Sequence, residues 1–61
     1  MSVEELFEKL KKGECQLWEI EEDGKTNKET LKKLYEMILK DTSDNVYLMN
    51  ACAELEGRKN N

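Results

Sequence analysis

Apolar residues recur three and four positions apart along most of this chain, and each run carries its own start and stop signals. Val3, Leu6, Phe7 and Leu10 repeat at helical spacing behind Ser2-Val3-Glu4-Glu5. In that tetrad a Ser hydroxyl and a Glu three residues on can satisfy backbone N–H groups reciprocally. Lys9, Lys11 and Lys12 fall where a helix C-terminus favours cations, and Gly13 is a natural stop. The pattern predicts a first helix over Ser2 to Lys12. Thr26-Asn27-Lys28-Glu29 is a second such tetrad, and behind it Leu31, Leu34, Tyr35 and Ile38 fall on one stripe. Glu5 with Lys9, Glu8 with Lys12, Glu29 with Lys33 and Glu36 with Lys40 are spaced to pair within their helices. A helix is predicted over Lys28 to Lys40, ended by the turn-forming run Asp41-Thr42-Ser43-Asp44-Asn45.

Two segments read less simply. In Glu14 to Glu22, Trp18 and Ile20 share a face at strand period, whereas Leu17, Trp18 and Glu21 align at helical period. A short helix is the first expectation and a strand the second, with a turn at Asp23-Gly24. From Val46 to Glu56, Leu48, Ala51, Cys52 and Leu55 form one helical stripe, while Val46, Met49 and Ala53 lie nearly opposite. A helix apolar on two faces is usually covered on both. Gly57 is expected to end this element, leaving Arg58 to Asn61 as a disordered polar tail.

These elements predict an all-α fold, a single domain over residues 1–57 with three or four short helices in a compact bundle or hairpin arrangement. The alternative is α+β with a small two-stranded sheet from Gln16 to Glu21 and Val46 to Met49, where β-propensity is high. The expected core is Phe7, Leu10, Trp18, Leu34, Ile38, Leu48, Cys52 and Leu55.

Leu31, Tyr35 and Ile38, then Ser43-Asp44-Asn45, then the small residues Ala51 and Ala53 carry a further pattern. From Leu17 to Gly57 it resembles a tetratricopeptide-type helical hairpin. Tyr35 falls at the aromatic position of that family's second helix, and Ser43-Asp44-Asn45 at its inter-repeat turn. Leu31 and Ile38 stand where the family has small residues, and the chain has no proline. The resemblance implies antiparallel helix packing and peptide binding. Such grooves need about three stacked repeats, and this chain has length for one.

Composition narrows the chemistry. With 61 residues, the chain can bury only about 60% of its unfolded surface, so little core is left for an internal pocket. No histidine is present, which removes the commonest general base and metal ligand. Cys15 and Cys52 lack the spacing of a zinc site. They are expected to be buried thiols in a reducing, cytoplasmic setting, because Met1 to Leu10 reads as an amphipathic helix rather than a leader. Glu19, Glu21, Glu22 and Asp23 lack the alternating ligands of a calcium loop, and no glycine-rich phosphate loop exists. The expectation is therefore no catalytic site, no metal site, no cofactor and no enzyme activity.

No apolar run approaches a membrane span of about 18 residues, so no membrane partner is expected. The net charge of −4 disfavours a nucleic-acid backbone and favours a basic partner surface. The Val46 to Glu56 helix offers Asn50 but no Lys or Arg for base edges, so a helix-turn-helix DNA regulator is the less favoured reading. A structural subunit or homodimer is a third. The favoured reading is a small acidic module that binds and modulates another protein, an inhibitor or adaptor of the size phages and bacteria encode. Its candidate contacts are Trp18, Met37, Val46, Tyr47, Met49 and Ala53. Trp and Tyr dominate interface hot spots, and Met adapts to varied surfaces. Trp18 also stands in the expected core, and the second face of the last helix awaits either the first helix or a partner.

Overall fold

A computed structural model describes residues 1–59. The chain forms four helices, α1 (Val3–Lys12), α2 (Leu17–Glu22), α3 (Lys28–Lys40) and α4 (Val46–Lys59). The fold is all-α, a small bundle. Among the described residues there is no strand, and the segments of the proposed sheet are helical from Leu17 and from Val46 onward.

Local chemistry explains each boundary. The Ser2 hydroxyl accepts the Glu5 N–H at 3.2 Å and starts α1. Gly13 ends it at φ 74, with its N–H donating to the Leu10 carbonyl and the Glu14 N–H donating to that of Lys9. This is the left-handed cap that glycine adopts without a Cβ penalty. At α2 the Glu19 carboxylate reaches back to accept the Gln16 N–H at 3.1 Å. At α3 the cap is one residue later than expected. Asn27, not Thr26, accepts the Thr30 N–H at 2.8 Å. Asn is at least as good a capping acceptor as Thr, and so wins the position.

The α3–α4 turn does more than reverse the chain. Asp41 accepts the Ser43 N–H at 2.8 Å and also its hydroxyl. Asn45 accepts the N–H groups of Tyr47 at 3.0 Å and Leu48 at 3.1 Å, while its amide donates to the Lys11 carbonyl at 2.9 Å. One side chain thus caps α4 and satisfies an orphan carbonyl at the end of α1.

The core is Leu6 and Leu10 of α1, Leu17 and Ile20 of α2, Leu34 and Ile38 of α3, and Leu48, Ala51 and Leu55 of α4. Leu34 and Ile38 are fully buried at its centre. The main packing is α1 on α3, α3 on α4 and α1 on α4. Six-residue α2 closes the open side of these three helices with Leu17 and Ile20. The hairpin implied by the repeat-like pattern is not built, because α2 is too short to pair along α3, and α1 takes that place.

Three expectations are corrected. Trp18 is not core but 49% exposed. With α2 starting at Leu17, a spacing of three turns Leu17 and Ile20 inward and carries Trp18 outward. Phe7 and Cys52 are half-buried flanks of the core rather than members of it. Gly57 does not end α4, and Arg58 is helical rather than part of a disordered tail. Arg58 is anchored to Glu21 and Glu54, which offsets the roughly 1 kcal/mol that glycine costs inside a helix. The rest of the expected tail, residues 60 and 61, lies outside the described residues.

Replacing Asn45 by Ala removes a cap and leaves the Lys11 carbonyl without its donor. Caps of this kind contribute about 0.5–2 kcal/mol. We expect Asn45→Ala to lose about 2 kcal/mol in urea denaturation, with Asn45→Asp restoring the cap but not the amide donor. Equal stability of all three proteins would show that the turn does not tie α4 to α1.

Candidate interaction surface

The stripe Leu48, Ala51, Cys52 and Leu55 faces inward, and the second apolar face of α4 stays uncovered. Val46 is 57% exposed, Met49 58%, and Ala53 is exposed between them. Although α1 packs on α4, it leaves this face bare. At 100° per residue, Val46, Met49, Asn50, Ala53 and Gly57 fall on the outer side of α4, and Tyr47 lies at its edge.

Beside this face runs a groove of about 260 Å³. Leu48, Met49, Cys52 and Ala53 give it apolar walls, and Asp41, Ser43 and Glu56 give it polar ones. The Cys52 Sγ lies 3.6 Å from the Glu56 carboxylate. Hydrogen bonds from the Ser43 hydroxyl and N–H hold the Asp41 carboxyl below its ordinary range, so this wall is anionic at neutral pH.

On the other flank, Tyr47 lays its ring on the backbone of Gly13. A Cβ on Gly13 would stand 2.6 Å from the ring carbon Cζ. Glycine is therefore required there twice, for the positive φ of the α1 cap and for the approach of the ring. Tyr47 remains 52% exposed. It shares a cleft of about 60 Å³ with Gln16, Leu17, Ala51 and Glu54, and the Gln16 side chain accepts the Trp18 indole N–H at 3.1 Å. Trp18 thus lies outside the core with its polar atom satisfied.

Of the six candidate contacts, Val46, Tyr47, Met49 and Ala53 come together on α4. Trp18 stands apart on α2, and Met37 is half-buried on α3 and outside the groove. The sequence reading missed Gly13 and Gln16, which position the two aromatics. Gly13 was visible only as a helix stop, since the residue packing on it lies in a distant helix.

A polar cluster joins α2, α3 and α4 around Glu21. Arg58 donates to both Glu21 carboxylate oxygens, at 2.8 and 2.9 Å, and to Glu54 at 2.8 Å. The Tyr35 hydroxyl donates to the same Glu21 carboxylate. Hydrogen bonding to Arg58 holds the Glu21 carboxyl below its ordinary range, against partial burial and with help from Tyr35. Burial, then the bond to Glu21, pushes the Tyr35 hydroxyl up.

Little in these groups prepares chemistry. Burial pushes the Cys15 thiol up, away from the thiolate a nucleophile requires. Among the described residues no group of three or more Cys, Asp or Glu is placed to hold a metal ion. A larger cavity of about 600 Å³ is lined by Met1, Lys9, Asp23, Lys25, Thr26 and Thr30 among others. No helix among the described residues is long and apolar enough to cross a membrane.

Two outcomes follow from this geometry. A carboxyl with a lowered folded-state pKa adds stability above its unfolded pKa of about 4.3 and loses it as pH falls through the folded value. The stability of the native chain should therefore decline below about pH 4.5, and Glu21→Gln should flatten that decline in denaturation series. At pH 7 the same change should cost about 1 kcal/mol or less, because solvent screens the pair: the Arg58 side chain is 44% exposed. An unchanged acid limb would remove Glu21 from the account. For Gly13→Ala, the left-handed backbone alone costs about 1–2 kcal/mol, and the displaced Tyr47 ring adds to it. The loss should be smaller when Gly13→Ala is made in a Tyr47→Ala background. Strict additivity would mean that the ring contact carries no energy.

No protein-family model, curated protein or solved structure matches this chain, so the functional reading rests on the surface described here.

Proposed function

We propose that this chain is a non-enzymatic protein-binding module that engages a partner through the outer face of α4 and modulates it as an inhibitor or adaptor inside the cell. The observation that carries the proposal is that Val46, Tyr47 and Met49 each remain more than half exposed on a helix whose opposite face is core. Leaving such side chains in water forgoes about 25 cal/mol per Å² of apolar area, which a partner recovers on binding. The net charge of −4 supports a partner with a basic surface. The absence of histidine and the raised Cys15 thiol support a role without catalysis.

Met49 is the cleaner site for a test, since Tyr47 also packs on Gly13. Native extract passed over the immobilised wild-type chain should yield a partner that Met49→Glu no longer retains, with the helical circular dichroism of the variant unchanged. Retention by Met49→Glu at wild-type levels would exclude this face.

A further inference from the structure

The groove beside α4 is apolar on one side and anionic on the other, and that combination specifies more than a sticky patch. Met49 and Ala53 form its outer lip, Leu48 and Cys52 its inner wall, and the carboxylates of Asp41 and Glu56 line it. Asp44 follows in the same turn and is exposed. Of the cations around α4, Lys11 pairs with Glu8 at 3.6 Å and its charge is also felt by Asp41, while Arg58, on the far flank, is held by Glu21 and Glu54. Lys40, next to Asp41 in the chain, is outnumbered by Asp41, Asp44 and Glu56. The apolar strip continues from the groove over Ala53 to Val46, along an α4 of 14 residues, the longest helix in the fold.

We infer that the occupant of this groove is a basic amphipathic helix of the partner protein. Its apolar side chains, at positions i, i+3, i+4 and i+7, pack along Val46, Met49 and Ala53. Its Lys or Arg side chains run their alkyl stems over the groove and set their charges against Asp41, Asp44 and Glu56. A second copy of this chain fits the charge less well, since each copy brings −4 and net charge opposes self-association. The inference rests on the reading of α4 as a binding face and deepens it.

The test uses the full chain and a labelled peptide of about 18 residues, roughly five helical turns. The peptide carries Leu at the four-position repeat and Lys or Arg elsewhere; a control keeps the Leu pattern and replaces every cation by Glu. Fluorescence anisotropy should show saturable binding of the basic peptide alone, and amide shifts of the labelled chain should concentrate on residues 46–56. Glu56→Lys and Met49→Glu should each weaken binding at least about tenfold. Glu36→Lys, an equal charge change at an exposed position of α3, should weaken it far less. Equal binding of both peptides, no binding of the basic one, or equal effects of the two Lys variants would overturn the inference. So would a dimer in sedimentation equilibrium that Met49→Glu dissociates, because the face would then belong to a second copy. If the basic peptide fails while Met49→Glu still loses its native partner, α4 remains a binding face and only the occupant is wrong. If Met49→Glu changes neither, both readings fall.

Discussion

The position of α4 depends on the Asn45 side chain. Its oxygen accepts two N–H groups of the first turn of α4, and its amide holds the last turn of α1. These bonds set where α4 begins and how it is turned about its axis. That turn decides which of its two apolar faces reaches Leu34 and Ile38. Rotated by half a turn, α4 would bury Val46, Met49 and Ala53 and expose Leu48, Ala51 and Leu55. The Gly13–Tyr47 contact acts on the same rotation from the other flank: with no Cβ on Gly13, the ring can lie flat on the end of α1.

The core alone would hold such a choice loosely. Nine buried apolar residues of a short chain give a shallow preference between two apolar faces, since each Leu-sized side chain contributes about 1.5–3 kcal/mol wherever it is buried. Directional contacts break the near-degeneracy. At the N-terminal end they are the Asn45 bonds, and at the C-terminal end the Arg58 fork on Glu21. The second contact also explains how α2, only six residues long, is kept in place. Helices this short are marginal in isolation. Leu17 and Ile20 hold it from below, and Glu21 ties it to α3 and α4.

The parts of the fold legible in the sequence were those governed by neighbouring residues. Ser2 with Glu5, Gly13, and the stripe Leu31, Leu34, Tyr35, Ile38 each act within one or two turns, so α1 and α3 could be bounded closely. The two faces of α4 were legible for the same reason. What could not be read depended on distant partners. Arg58 extends α4 because Glu21 lies across from it. Trp18 leaves the core because α2 begins at Leu17, a phase set by the Gln16–Glu19 cap and by the space over Leu34. A helix of six residues has room for only two inward positions, and the spacing of Leu17 and Ile20 takes both. The surface shows the same division: its α4 members were readable from one helix, whereas the groove wall from Asp41 to Ser43 came only with the turn.

That turn links fold to charge. Asp41 uses its carboxylate to hold Ser43, a bond that works best with the group ionised, so the interaction that shapes the turn also keeps one groove wall negative. On the far flank of α4, the positive charge of Arg58 is met by Glu21 and Glu54, so closing α2 leaves little cationic field around the helix. Apolar residues at Val46, Met49 and Ala53 satisfy neither constraint. They neither cap α4 nor fill the core, and Val46 is a poor helix former by intrinsic preference. Met49 and Ala53 are good helix formers, so folding favours them in part; the proposed binding role would account for the apolar face they form with Val46 by what that face meets.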